Sequence, residues 1–292
     1  MSRGSRNGAS GAGRTRTPVA ETVTRTHLAV WGDPIAHSKS PDLHAAAYRV
    51  LGVDWEYGRR QVAADAFSGA LAELDDSWRG LSLTMPLKEE AFRAAATRDA
   101  HAELTGAVNT LLLRDAPAGF NTDVGGIVDA LAEAGITEAG TVRILGAGAT
   151  AASALVAASD LGATRVFVHA RRPERAAGLV ALGERIGIQV DTQPLDAHLA
   201  PVALTIATLP SGTALPDETS TALVEGGGAL FDAAYAPWPS ALAARWGDGA
   251  VVSGLGMLLH QAVRQIRIFH HGDPLAELPD EGSVIAAMRA VL

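Results

Sequence analysis

The chain has 292 residues, 48% of them apolar, a formal net charge of −8 and no cysteine. That length and apolar content suit two domains with buried cores, the missing cysteines exclude disulfides, thiolate metal sites and a cysteine nucleophile, and the acidic balance argues against a general nucleic-acid binder. No apolar run approaches the roughly 20 residues that a membrane helix needs, and the first residues lack the apolar core of a signal peptide.

Residues 1–26 are rich in Gly, Ser, Thr and Arg, with Arg3, Arg6, Arg14, Arg16 and Arg25 against the single acid Glu21. The composition predicts a disordered basic tail; a nucleic-acid or partner-binding arm is the other reading. Ordered sequence begins near His27. Residues 27–31 form a short apolar run closed by Gly32-Asp33-Pro34, as a strand ending in a turn would. Ser40 and Pro41 read as the N-cap and first position of a helix over 40–51, stopped by Gly52. A strand is expected over 53–62, an Ala-rich helix over 63–74, a strand over 80–85 and a helix opened by Pro86. This alternation argues for an α/β layer with a mainly parallel sheet. Short strands follow at 107–113 and 119–122 around a turn at 115–117, then a helix over 124–134 ended by Gly135.

A second α/β unit starts at residue 141. Residues 141–145 read as a buried strand, 149–161 as an Ala-rich helix and 165–169 as the next strand. Further strands are expected at 188–191, 204–208 and 229–231, and closing helices over 255–269 and 282–292. There is no solenoid repeat.

Between strand 141–145 and its helix lies Gly146-Ala147-Gly148-Ala149-Thr150-Ala151, a GxGxxA turn. Gly146 permits the tight turn, Gly148 lets a pyrophosphate approach the backbone, and Ala151 lets the helix pack closely. Ala147 and Ala149 lie in the same turn, at a helix N-terminus whose free N–H groups suit phosphate. A bare glycine turn is the plain alternative, but the strand–turn–helix context favours dinucleotide binding. An NAD site usually ends the second strand with an acid. Here Val168-His169-Ala170 is followed by Arg171, Arg172 and Arg175, which suit the 2′-phosphate of NADP. A solvated basic helix start is the competing reading.

The N-terminal half carries polar residues at strand ends: Ser38, Lys39 and Ser40 after the first strand, Ser82 and Thr84 on one face of the strand over 81–85, then Lys88. Asn109 is expected within the strand over 107–113, and Asn121 and Asp123 at the end of the next. Ligands of open α/β sheets bind at carboxyl ends of strands, and hydroxyls, amides, one Lys and one Asp suit a polyhydroxylated acid. Each residue also has a structural reading: Ser40 as a helix cap, Lys88 with Glu89 and Glu90 as a solvated helix face, Asp123 as a cap.

The segment Ile35-Ala36-His37-Ser38-Lys39-Ser40-Pro41 resembles the N-terminal signature of the shikimate dehydrogenase family. Thr84-Met85-Pro86-Leu87-Lys88 resembles its catalytic-lysine segment. Gly106-Ala107-Val108-Asn109-Thr110, Asn121-Thr122-Asp123-Val124-Gly125 and Gly254-Leu255-Gly256-Met257-Leu258-Leu259-His260-Gln261 match in the family's order, so the likeness spans nearly the whole chain from His27. There are departures. The family often has Asn where Ser82 stands, its Asn-Arg-Thr pattern reads Ala170-Arg171-Arg172, and its Asn-Ala-Thr reads Ile206-Ala207-Thr208.

The resemblance implies two domains: residues 27–122 with 255–292 for substrate and catalysis, its C-terminal helices returning to the first sheet, and a Rossmann-like NADP domain over 123–254. It implies Lys88 and Asp123 as the catalytic pair, Ser38 and Ser40 on the substrate carboxylate, and Thr84, Asn109, Asp123 and Gln261 on the ring hydroxyls or keto group. Tyr235 would lie near the carboxylate, Gly254 and Met257 against the nicotinamide, and Thr208 beside the cofactor. The expected reaction is NADPH-dependent, reversible reduction of 3-dehydroshikimate to shikimate in a cytoplasmic monomer or homodimer. No metal is expected, since the cofactor brings the hydride and a side chain the proton. A quinate/shikimate dehydrogenase, a paralogue acting on an amino-substituted ring, a non-catalytic NADP sensor and a regulator acting through the basic tail are the alternatives.

Overall fold

The structure is a computed structural model that describes Met1 and residues 26–114, 116–197, 199–247 and 249–292. The tail expected over 1–26 falls almost wholly outside the described residues, and so does Asp115 in the expected turn at 115–117.

The first sheet contains β1 (Thr26–Gly32), β2 (Trp55–Gln61), β3 (Trp78–Leu83), β4 (Thr97–Arg98), β5 (Thr110–Leu112) and β6 (Ala118–Phe120), ordered β2-β1-β3-β5-β6-β4. Helices α1 (Ser40–Leu51), α2 (Phe67–Ala72), α3 (Lys88–Ala94) and α4 (Ala100–Thr105) connect it. Strand β1 shows why the sheet sits between two layers. Its alternate residues point to opposite faces. Leu28 and Val30 pack with Leu43 and residues near the C-terminus, whereas Ala29 and Trp31 pack with Phe67, Leu87 and Ala91. A strand buried on both faces reads as a continuous apolar run, as this one does.

The sheet is mixed: β5 runs antiparallel to both β3 and β6, while the other pairings are parallel. Several boundaries differ from expectation. The helix expected over 63–74 is a short 3-10 turn (Ala64–Ala66) followed by α2. Strand β3 stops at Leu83, because Leu87 N bonds Thr84 O and turns the chain. The next helix therefore opens at Lys88, not at Pro86.

The second sheet contains β7 (Thr141–Leu145), β8 (Arg165–Ala170), β9 (Gln189–Pro194), β10 (Leu204–Ala207), β11 (Ala229–Asp232) and β12 (Val251–Ser253). Its order is β12-β11-β10-β7-β8-β9, with every pairing parallel. This is the doubly wound arrangement, whose switch point lies between β7 and β10. Helices α5 (Thr122–Glu133), α6 (Ala149–Asp160), α7 (Ala177–Ile186), α8 (Asp217–Gly226) and α9 (Ala241–Arg245) accompany it, and α10 (Gly254–His271) and α11 (Glu281–Arg289) close the chain. Among the described residues no helix is long and apolar enough to cross a membrane.

Leu259, Ala262, Ile266 and Phe269 of α10 and Val284 and Met288 of α11 join the core of the first sheet. Helix α5 joins the core of the second through Val124, Ile127 and Leu131. The two helices cross closely because Gly126 has no side chain: a Cβ there would lie 2.9 Å from Gln261 Cβ and 3.0 Å from Met257 O. That approach carries Asp123 and Gln261 to the same place.

Candidate active site

A cleft of about 300 Å³ opens where the carboxyl ends of the two sheets meet. From the first sheet come Ser38 and Ser40 after β1, Ser82 and Thr84 at the end of β3, and Lys88 at the start of α3. From the second come Thr150 in the glycine turn, Tyr235 after β11, and Gly254 and Met257 at the start of α10. Asp123 and Gln261 line it from α5 and α10.

Lys88 Nζ lies 2.5 Å from Asp123 Oδ2, with side chains 16% and 5% exposed. Sequence reasoning offered capping as the plain role of Asp123 and put it at a strand end. The structure corrects the placement: Asn121 is the N-cap of α5 and accepts from Asp123 N at 3.0 Å. The asparagine satisfies the free N–H, so the carboxylate of Asp123 is left to face Lys88. Ser40 is corrected in the same way. It is the first residue of α1, not its cap, and its N–H donates to Ser38 Oγ at 3.3 Å.

Asn109 stands just before β5 rather than within it, fixed by Leu83 N→Asn109 O and Asn109 N→Phe120 O. It is buried behind the cleft and does not line it. Its Oδ1 accepts from Thr122 N at 2.9 Å and Thr110 Oγ1 at 2.9 Å, which fixes the amide's orientation. Its Nδ2 then donates to Asp123 Oδ1 at 2.8 Å and Gln261 Oε1 at 3.1 Å. With its oxygen engaged, Gln261 keeps its Nε2 as a donor toward the cleft. Burial pushes the Tyr235 phenol up, so it stays a protonated donor.

Ser82 and Thr84 were expected to point together from one strand; both line the cleft, although Thr84 follows the strand's end. Sequence reasoning missed Gln265, which also lines the cleft and accepts from Ser82 Oγ at 2.8 Å. Its signal was its spacing, four residues after Gln261 and so on the same helix face. Thr150 was missed as a cleft residue as well.

The cofactor residues lie at the switch point of the second sheet. Gly146 has φ 114°, and a Cβ on it would lie 2.6 Å from Thr208 Oγ1. Thr208 follows β10, and its hydroxyl donates to Leu145 O at 2.9 Å, so it braces the turn. Nothing lies within 4 Å of the position a Cβ on Gly148 would take, which leaves open space above the backbone. Ala149 starts α6. Gly146 N bonds His169 O at 2.8 Å, bringing the end of β8 beside the turn. Arg171, Arg172 and Arg175 follow β8, exposed and without an ion pair among the described residues. A positive-φ glycine, an open approach and unpaired guanidinium groups fit a phosphorylated dinucleotide.

A family model described as the shikimate dehydrogenase substrate-binding domain matches residues 30–111. A shikimate dehydrogenase (NADP(+)) of Thermus thermophilus is 35% identical over 273 residues, covering 91% of this chain and 98% of the relative. The crystal structure of Mycobacterium tuberculosis shikimate dehydrogenase superposes with a TM-score of 0.77 at 37% identity, covering 91% of this chain and 99% of that one. A Thermus thermophilus shikimate 5-dehydrogenase, solved in complex with NADP(H) and shikimate, superposes with a TM-score of 0.76 at 31% identity, covering 91% and 100%.

Proposed function

Because the chain belongs to the shikimate dehydrogenase family, we propose that it is an NADP-dependent oxidoreductase that reversibly reduces 3-dehydroshikimate to shikimate, a step of chorismate and aromatic amino acid biosynthesis. The observation that carries this reading is the Lys88–Asp123 pair, 2.5 Å apart in a cleft lined from both sheets.

The cofactor would be held by Gly146, Ala147, Gly148 and Ala149 at its pyrophosphate and by Arg171, Arg172 and Arg175 at its 2′-phosphate, with Thr208, Gly254 and Met257 beside it. When bound, NADPH supplies the hydride. Lys88 gives the proton that the ring oxygen needs as the carbonyl becomes an alcohol, and recovers it from solvent. Asp123 orients Lys88 and accepts from the neighbouring ring hydroxyl. Asn109 fixes Asp123 and Gln261, whose Nε2 serves a ring oxygen. Ser38, Ser40 and Tyr235 take the carboxylate, and Ser82 and Thr84 further ring oxygens. Closing the cleft would exclude water and fix the reacting distance.

The same reading divides the chain into residues 27–122 with 255–292 for substrate and 123–254 for NADP. The two sheets, and the packing of α10 on the first, support that division. Its partners are small molecules rather than nucleic acid or membrane, and it works in the cytoplasm as a monomer or homodimer. An absorbance assay at a wavelength of about 340 nm, with shikimate and quinate each offered with NADP and NAD, tests the reading. Turnover is expected with shikimate and NADP. Equal turnover of quinate would make it a quinate/shikimate dehydrogenase, and tight NADPH binding with no turnover of any ring acid would make it a sensor.

A further inference from the structure

Ser82 occupies a position where the family often has Asn, and the structure shows what stands in for the missing amide. Building on the proposed ring-ketone reduction, we infer that Gln265 is a specificity-determining positioning residue that fixes Ser82 as a hydrogen-bond acceptor. This corner of the cleft then takes a substrate hydroxyl and disfavours a bare oxygen such as a ketone or carboxylate.

The polarity follows from the contacts. Gln265 and Ser82 are 2% and 3% exposed, and both line the cleft. One end of the Gln265 amide meets Asn109 O at 3.4 Å. A backbone carbonyl has only lone pairs to offer, so the amide must turn its Nε2 that way. Its Oε1 then faces Ser82 Oγ, 2.8 Å away. An amide oxygen carries no proton, so the serine donates its only one inward. Lone pairs are all that Ser82 has left: the buried Tyr57 phenol beside it can use one, and the one facing the cleft is open only to a donor on the substrate.

The surroundings keep the amide from turning. Reversing it would set Oε1 against Asn109 O and take a proton acceptor away from a buried hydroxyl. Behind Gln265 lies His44, fully buried and stacked on Tyr57 with ring centroids 3.8 Å apart. An asparagine at position 82 would carry donor and acceptor on one side chain. Here they are divided between β3 and α10, and the division selects the acceptor.

The test uses the full chain with shikimate and its three monodeoxy analogues in titration calorimetry, and with shikimate and the two analogues that keep the reacting 3-hydroxyl in steady-state assays with NADP. Wild type should disfavour one monodeoxy analogue by about tenfold in Kd, and in KM where that analogue keeps the reacting hydroxyl, the weight of one hydrogen bond. Gln265→Leu should cut that preference below about threefold, with the loss in KM rather than kcat. Adding Ser82→Ala to Gln265→Leu should change little more. Gln265→Met keeps an unbranched side chain of similar length and carries the same expectation if the leucine variant does not fold. Ser82→Asn with Gln265→Ala, which returns the amide to one residue, should recover the shikimate binding lost in Gln265→Ala. Additive effects of the Ser82 and Gln265 substitutions, or an unchanged preference among the analogues in Gln265→Leu or Gln265→Met, would overturn the inference. Shikimate binding without turnover by the wild type would overturn the proposed reaction instead, and the calorimetric cycle would still decide the role of Gln265.

Discussion

Asn109 holds Asp123 by a single carboxylate oxygen: Nδ2 donates to Oδ1 at 2.8 Å, and the other oxygen is left to Lys88. The amide cannot turn, since its own oxygen accepts from Thr122 N. Asn109→Ala should free the carboxylate to rotate away from Lys88. We expect kcat to fall by about tenfold to a hundredfold while NADPH affinity changes little. Steady-state kinetics with a separate NADPH titration would show this. An unchanged kcat would mean that α5 alone fixes Asp123.

Cofactor choice should rest on the arginines after β8, which are exposed and lack an ion pair among the described residues. Replacing Arg171 and Arg172 together by alanine removes two charged donors. The KM for NADPH is expected to rise by about tenfold to a hundredfold, with the KM for NADH nearly unchanged. An equal rise for both cofactors would place the arginines somewhere other than the 2′-phosphate.

His44 gives the fold a pH dependence. An unfolded histidine titrates near 6.5. Burial pushes His44 down to about 3, with the neighbouring Gln265 amide opposing it in part. Above about pH 6.5 neither state binds the proton, and this contribution to stability is complete. Between there and about pH 3 the unfolded chain alone binds it, so stability falls by about 1.4 kcal/mol per unit as pH drops. Urea unfolding at about pH 7 and about pH 5 should show a loss near 2 kcal/mol larger in wild type than in His44→Asn. Equal losses in both would contradict a buried neutral imidazole.

The sequence made the second sheet easier to read than the first. Its central strands β7 and β10 are buried and run within a residue of the expected spans, whereas the edge strand β12 and helices α8 and α9 had no expected counterpart. The glycine turn also sits between strand and helix as its chemistry requires. In the first sheet the short elements escaped. Strand β4 has 2 residues and α4 has 6, too few for a periodic pattern, although Asp99 caps α4 and Gly106 ends it. The pairing of Lys88 with Asp123 has no local signal. It depends on β5 running antiparallel to β3, which sets Ser82 opposite Thr110 and brings Asn109 beside Leu83. Family motifs supplied that pair. They could not supply Gln265, because its role arises where this chain departs from the family at Ser82. Asn121 went unrecognised as the cap because two nearby side chains, Asn121 and Asp123, both suit the start of a helix.

The most direct test of the account is a single-turnover measurement of NADPH oxidation by 3-dehydroshikimate in wild type and Lys88→Met, with binding of NADPH and shikimate measured separately. The variant should bind both ligands within about threefold of wild type and transfer hydride slower by about a hundredfold or more. Hydride transfer at the wild-type rate in a folded Lys88→Met protein would contradict the assignment of Lys88 as the proton donor.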